Sequence, residues 1–172
     1  MESGENTNQG GTLDNDATSF HVGDDVKDRQ YRGILAFDTT SLPNNAVILQ
    51  AQLKVRQQGI VGSDPFGTHG TLLSEIRNGT FSNNAILQTG DYSSAATPGY
   101  VWDTFAEQTP DWYVTELHNA NLLLVNKAGT TQFRLFFSKA DNDDLNADYV
   151  NFYSGDAQIS NTPQLVVTYY VP

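Results

Sequence analysis

The sequence has no cysteine. Disulfides and thiolate metal sites are therefore excluded. Basic residues are scarce as well: nine Lys and Arg stand against 20 Asp and Glu, a formal net charge of -11. Phosphate backbones and anionic membrane surfaces are held by clustered Lys and Arg. Nucleic acid is thus not an expected partner, and a cation is the more natural counterpart of the surplus carboxylate. No apolar run approaches the roughly 18 residues of a membrane span, so no membrane insertion is expected. The opening Met1 to Gly11 has neither the basic start nor the apolar middle of a secretion signal. The expectation is either an intracellular protein or a fragment cut from a longer secreted chain, with the fragment favoured. Long runs of Ala, Glu, Lys and Leu are missing too, whereas Thr, Val, Tyr and Phe are plentiful. That balance favours strands and turns over helices. A length of 172 residues fits one domain, placed over residues 1–172.

What is present is organised around Tyr31 to Asp38. Tyr31, Gly33, Leu35 and Phe37 share one face at a period of two, the signature of extended backbone. Asp38 to Pro43 stops the run with turn-forming side chains. Val47, Leu49, Ala51, Leu53 and Val55 then alternate with Ile48, Gln50, Gln52, Lys54 and Arg56. The two runs are predicted to pair as antiparallel neighbours, each with one wet face. Further strands are expected at Ala17 to Gly23, Thr71 to Arg77, Trp112 to Leu117, Tyr149 to Tyr153 and Pro163 to Val171. Another covers Thr131 to Lys139, with Phe133, Leu135 and Phe137 inward and Gln132, Arg134 and Phe136 outward. Leu117 to Val125 is the best helix candidate, ended by Asn126 to Gly129. Residues 2 to 16 are polar enough for a loose tail. The expected fold is all-β: an antiparallel two-sheet β-sandwich or jelly roll, with about eight to ten strands and one short helix.

Two stretches carry chemistry. Asp141 to Asp148 holds six acidic or amide residues in eight positions. Such spacing lets a folded loop aim several oxygens at one point, which suits Ca²⁺ with its six to eight oxygen ligands. The expected metal residues are Asp141, Asp143, Asp144 and Asp148, helped by Asp24 and Asp25. A solvated acidic loop is the alternative, since Asp and Asn are ordinary turn residues. The second stretch is the aromatic-rich segment from residue 90 to 113. Flat rings pack well on the C–H faces of sugars, which makes Tyr100 and Trp102, then Trp112 and Tyr113, candidate ligand-binding residues. Their alternative role is as lids over the ends of the core. His21, His69 and His118 match no metal-ligand spacing, and no nucleophile-elbow sequence is present. No catalytic residue is assigned and an enzyme is not expected.

Tyr31-Arg-Gly-Ile-Leu-Ala-Phe-Asp-Thr-Thr-Ser-Leu-Pro43 with Ala46-Val-Ile-Leu-Gln-Ala-Gln-Leu-Lys-Val55 resembles the opening of the DNRLRE family. These are disaggregatase-related, carbohydrate-binding-module-like domains of secreted prokaryotic proteins. Phe152-Tyr-Ser-Gly-Asp156 and Thr162-Pro-Gln-Leu-Val-Val-Thr-Tyr169 are similar to its ending. The resemblance implies a jelly-roll accessory module, extracellular or at the cell surface, that binds polysaccharide or anchors a surface protein and is compatible with bound calcium. The family has a further strand before the segment matching Asn8 to Gly11, of which Glu2-Ser3 corresponds to the end. An edge left open there would invite another chain. The alternative expectation is therefore a structural subunit of an extracellular filament or surface layer, joined to neighbouring copies by strand donation.

Overall fold

A computed structural model describes residues 1–172. The strands are β1 (Ser19–Asp24), β2 (Gln30–Tyr31), β3 (Gly33–Asp38), β4 (Val47–Val61), β5 (Leu72–Asn78), β6 (Asp103–Thr104), β7 (Ala106–Thr109), β8 (Trp112–Glu116), β9 (Thr130–Phe137), β10 (Asp148–Tyr153) and β11 (Gln164–Tyr170). One sheet of seven strands runs β2-β1-β10-β4-β8-β7, with β11 on β4, and a four-stranded sheet runs β3-β9-β5-β6. All ladders between these strands are antiparallel. The protein is an all-β, two-sheet sandwich. β4 is the long spine: β8 and β11 overlap on it at Gln52 to Lys54, so they take opposite edges, and β10 takes its C-terminal end.

The core lies between the sheets. Leu53 and Val55 from the larger sheet meet Phe133, Leu135 and Phe137 from the smaller, with Phe152, Val150 and Ile76 sealed among them. Period-two alternation puts these residues on one face of each strand, and their burial is the main source of stability.

Four expectations are corrected. β3 and β4 follow one another but do not pair; they lie in opposite sheets, and β3 pairs with β9. The apolar pattern of a strand fixes which face points inward, and two inward faces meet equally well across a sandwich or along a sheet. Secondly, the outward side of β9 is not wet at its centre: Gln132 and Arg134 are buried, as is Glu75 on β5. Residues 79–105 fold over that face, placing Phe81 and Tyr92 upon it.

Thirdly, the helix expected over Leu117 to Val125 shrinks to α2 (Asn119–Leu122), and a second single turn, α1 (Pro65–Thr68), precedes β5. Asn and His are weak helix formers. Here the buried Asp103 carboxylate accepts His118 N–H at 2.8 Å and Asn121 Nδ2 at 2.7 Å, fixing the turn from outside. Finally, the N-terminal residues are not loose. Glu2 N–H donates to Gln30 O on β2, Ser3 N–H to Gln9 O and Gly11 N–H to Met1 O, and the buried Glu2 carboxylate accepts Asn8 N–H at 2.6 Å.

Candidate functional site

β1 ends at Asp24 directly opposite Asp148, where β10 begins. Both side chains are sealed from solvent, and Asp28 and Asp141 are nearly so. The acidic loop is thereby drawn onto the β1–β2 turn. Asp24 Oδ1 accepts Asp148 N–H at 3.1 Å, and its Oδ2 lies 3.4 Å from Asn142 N and 3.2 Å from His69 Nε2. Asp148 Oδ1 accepts Ser63 N–H at 2.6 Å, and its Oδ2 accepts Asn142 Nδ2 at 3.0 Å. Asp28 Oδ1 accepts Leu145 N–H at 3.0 Å. Gly62 makes the Ser63 contact possible: its φ of +74° is left-handed, and a side chain there would strike Ala147 O and the Asp148 carboxylate.

The titration of these acids follows their surroundings. Burial pushes the Asp24 carboxyl above its ordinary range, with His69 and backbone N–H groups pulling the other way. Asp141 is pushed up by burial and by Asp143, Asp24, Asp28 and Glu5, with no donor to offset them. Asp25 is different. Burial raises it, but bonds from the Arg29 side chain and from the Arg29 and Lys27 N–H groups bring it below the usual value. Its oxygens therefore serve its own turn. Asp143 and Asp144 stand at the exposed rim.

No group of three or more His, Cys, Asp and Glu side chains forms a metal-holding set. As arranged, the carboxylates of Asp24, Asp28 and Asp148 fasten strand ends by accepting N–H groups. The donor chemistry still suits a hard cation, because two oxygen acceptors are left over. Asn142 Oδ1 is buried without a partner, and the Asp141 carboxylate is enclosed among like charges.

The four aromatic candidates do not share one platform. Tyr100 and Trp102 sit over the outer face of the four-stranded sheet. Trp102 is 54% exposed, its Nε1 donates to Tyr100 Oη at 3.2 Å, and its ring meets Phe136 of β9 edge-on at 6.3 Å. Tyr113 is opposite Val55 on β4 and turns inward, stacked on Phe66 at 4.6 Å; burial, aided by Glu107, Asp64 and Asp111, pushes its phenol up to about 12. Trp112 lies beside it on the opposite face, across from Arg56 in the larger sheet. Alternation along a strand separates neighbours in this way.

Sequence reasoning missed the partners of the histidines and the ion pair under the cover. His118 Nδ1 meets Asp103 Oδ1 at 2.9 Å, and Arg134 pairs with Glu75. The only available signal was Glu75 and Arg134 at outward positions of two strands. Also unforeseen is a groove of about 640 Å³ along β3, with Phe20, Ile34, Phe37, Ile159 and Pro163 among the residues that line it. No family model matches the chain, and no curated protein matches it either.

Proposed function

We propose that this chain is a non-catalytic accessory module of the DNRLRE kind, extracellular or at a cell surface, which binds polysaccharide and is stiffened by Ca²⁺. The observation that carries the reading is Trp102. An indole that is half open to solvent while its N–H is already satisfied is a rigid flat face awaiting a ligand. Tyr100 holds the indole at its N–H edge, and sugar C–H groups are the natural complement of the open ring face. The residues that would hold the cation are Asp141 and Asn142, with Asp24 and Asp148 close by. Bound there, Ca²⁺ would supply positive charge to a buried anionic pocket.

Retention on polysaccharide affinity gels tests the ligand. Trp102→Ala is expected to weaken retention about tenfold. Trp112→Ala, on the opposite sheet, is expected to leave it unchanged. Equal retention of the Trp102 variant and the parent, at matched melting temperature, overturns the assignment. For the cation, melting is compared in Ca²⁺ and in chelator. A ligand at about 100 times its Kd stabilises the native state by about 2.7 kcal/mol, worth about 5–10 °C here. Asp141→Asn is expected to abolish that difference, and identical curves for the parent protein remove the metal from the proposal.

A further inference from the structure

β3 ends the order of the four-stranded sheet, and β11 pairs only with β4. Each therefore presents one row of backbone N–H and C=O groups without a strand partner. The groove described above opens along the β3 edge and reaches Pro163, the residue preceding β11. The core is thinly covered on this flank. Phe20, Phe37, Leu165 and Val167 are only half-buried, whereas Phe133 and Phe152 deeper in the sandwich are sealed. Ile159 is 90% exposed and Ile86 is 67% exposed at the groove rim. β11 itself, Gln-Leu-Val-Val-Thr-Tyr-Tyr, has no charge, glycine or proline. Charged side chains and prolines are the usual guards of an exposed edge, and a single bulge at Thr168/Tyr169 is the guard found here.

We propose that this flank takes up an extended peptide strand of another protein, added to the β3 edge, with alternate apolar side chains pointing into the groove and Lys or Arg at its ends. Backbone pairing selects a polypeptide, because a sugar chain has no alternating N–H and C=O groups to match a strand edge. The aliphatic lining of Ile34, Leu35, Leu87 and Ile159 selects apolar side chains at every second position. Charge selects the flanks: the groove lining holds Asp14 and Asp156 and no Lys, Arg or His, and the exposed Asp38 closes β3. A second copy of this chain is disfavoured by the same charge, since each copy carries -11. A strand as long as β3, six residues, spans about 20 Å. This surface is separate from the Tyr100–Trp102 face, so its failure leaves the polysaccharide reading standing.

The probe is a fluorescein-labelled peptide of three Val-Thr repeats between pairs of lysines. Polarisation titrations are run beside a version flanked by aspartates and a version with a central proline. Saturable binding of the lysine-flanked peptide is expected, weaker by at least about tenfold for the other two. Ile86→Lys/Ile159→Lys changes two exposed side chains, keeps the melting temperature, and is expected to lose binding to a similar degree. Hydrogen exchange is expected to show bound-state protection at residues 33–38. The proposal is overturned by absence of saturable binding, by equal affinity for the aspartate-flanked peptide, or by unchanged binding in the double variant. Protection of residues 33–38 that grows with protein concentration alone assigns the flank to a second copy. Competition by a soluble polysaccharide assigns it to glycan. Either result also overturns the proposal.

Discussion

Arg134→Met is the substitution whose consequence follows most directly from the structure. Arg134 leaves β9 on the side away from the core and enters the cover formed by residues 79–105. Its Nη1 donates to Asp91 O at 2.7 Å and Ser94 O at 2.8 Å, its Nη2 pairs with Glu75, and its guanidinium lies 4.5 Å from the Phe81 ring centre. Methionine keeps much of the length and none of the donors. It leaves Glu75 as a buried carboxylate without its counter-ion, and removing one member of a buried pair costs about 3–5 kcal/mol. The two carbonyls lose a donor as well, worth about 1–3 kcal/mol each if no water replaces it. Even the ion-pair loss alone lowers the melting temperature by about 6–20 °C in a chain of this size.

Glu75→Gln is expected to cost less, because Arg134 keeps both carbonyls. Combining Arg134→Met with Glu75→Leu removes both charges and is expected to recover part of the single-variant loss. Urea unfolding of the parent, Arg134→Met, Glu75→Leu and their double variant gives the coupling, expected to exceed about 1 kcal/mol. Hydrogen exchange of residues 81–97 should quicken in Arg134→Met alone. A loss below about 1 kcal/mol, or strict additivity in the cycle, would refute the claim that this pair pins the cover.

Two further outcomes concern the larger sheet. The His21 ring packs against both Tyr31 and Tyr149, with centroids 5.2 and 4.6 Å away, in a cluster where the two tyrosines also touch at 5.3 Å; burial, then the amino-terminal charge, holds its pKa below the ordinary 6.5. The unfolded chain then binds the proton more readily, so stability present above pH 6.5 is lost as pH falls through the folded value. His21→Gln should flatten urea-derived stability over that interval, and an unchanged slope would remove His21 as its source. Gly62→Ala forces a side chain onto a left-handed residue pressed against Ala147 O. It should cost more than about 2 kcal/mol, or about 4–8 °C of melting temperature, checked by calorimetry.

Period-two alternation made the core legible in advance, because Leu53, Val55, Phe133, Leu135 and Phe137 have no other way to leave water together. Sheet membership was not legible. The same alternation in Gly33 to Asp38 and Val47 to Val55 is satisfied by pairing within a sheet or by facing across one, and only the crossing of the chain after Leu42 decides. The buried outer face of β9 was hidden for a related reason. Arg134 and Glu75 look like surface residues until a segment with no periodicity of its own, carrying Phe81 and Tyr92, is laid over them. For the acidic residues, local sequence grouped Asp141 to Asp148, while the nearness of Asp24 depends on the β1–β10 register. Asp25, adjacent in sequence, is taken by Arg29 instead. The aromatic segment was read as one group; the structure separates its members by sheet and by face, since nearness in a loop says nothing of where each ring points.

A two-sheet sandwich is open at its ends and flanks, and this chain closes most of those openings with charge. The β1–β10 end is held by Asp24 and Asp148 on backbone N–H groups. The outer face of the small sheet is held by Arg134, and the turn at α2 by Asp103 on His118 and Asn121. Each closure buries a polar group that is expensive to leave unpaired, so each fixes one arrangement of its loop. The flank between β3 and β11 has no comparable closure: its backbone edges are unpaired and its rim is aliphatic. A fold that spends buried charge to seal its other openings, yet leaves this one bare, has its least satisfied surface there. Amides on the outer edge of β3 should accordingly exchange faster than those of the Asp24–Asp148 ladder, and the reverse order would mean that the flank is closed after all.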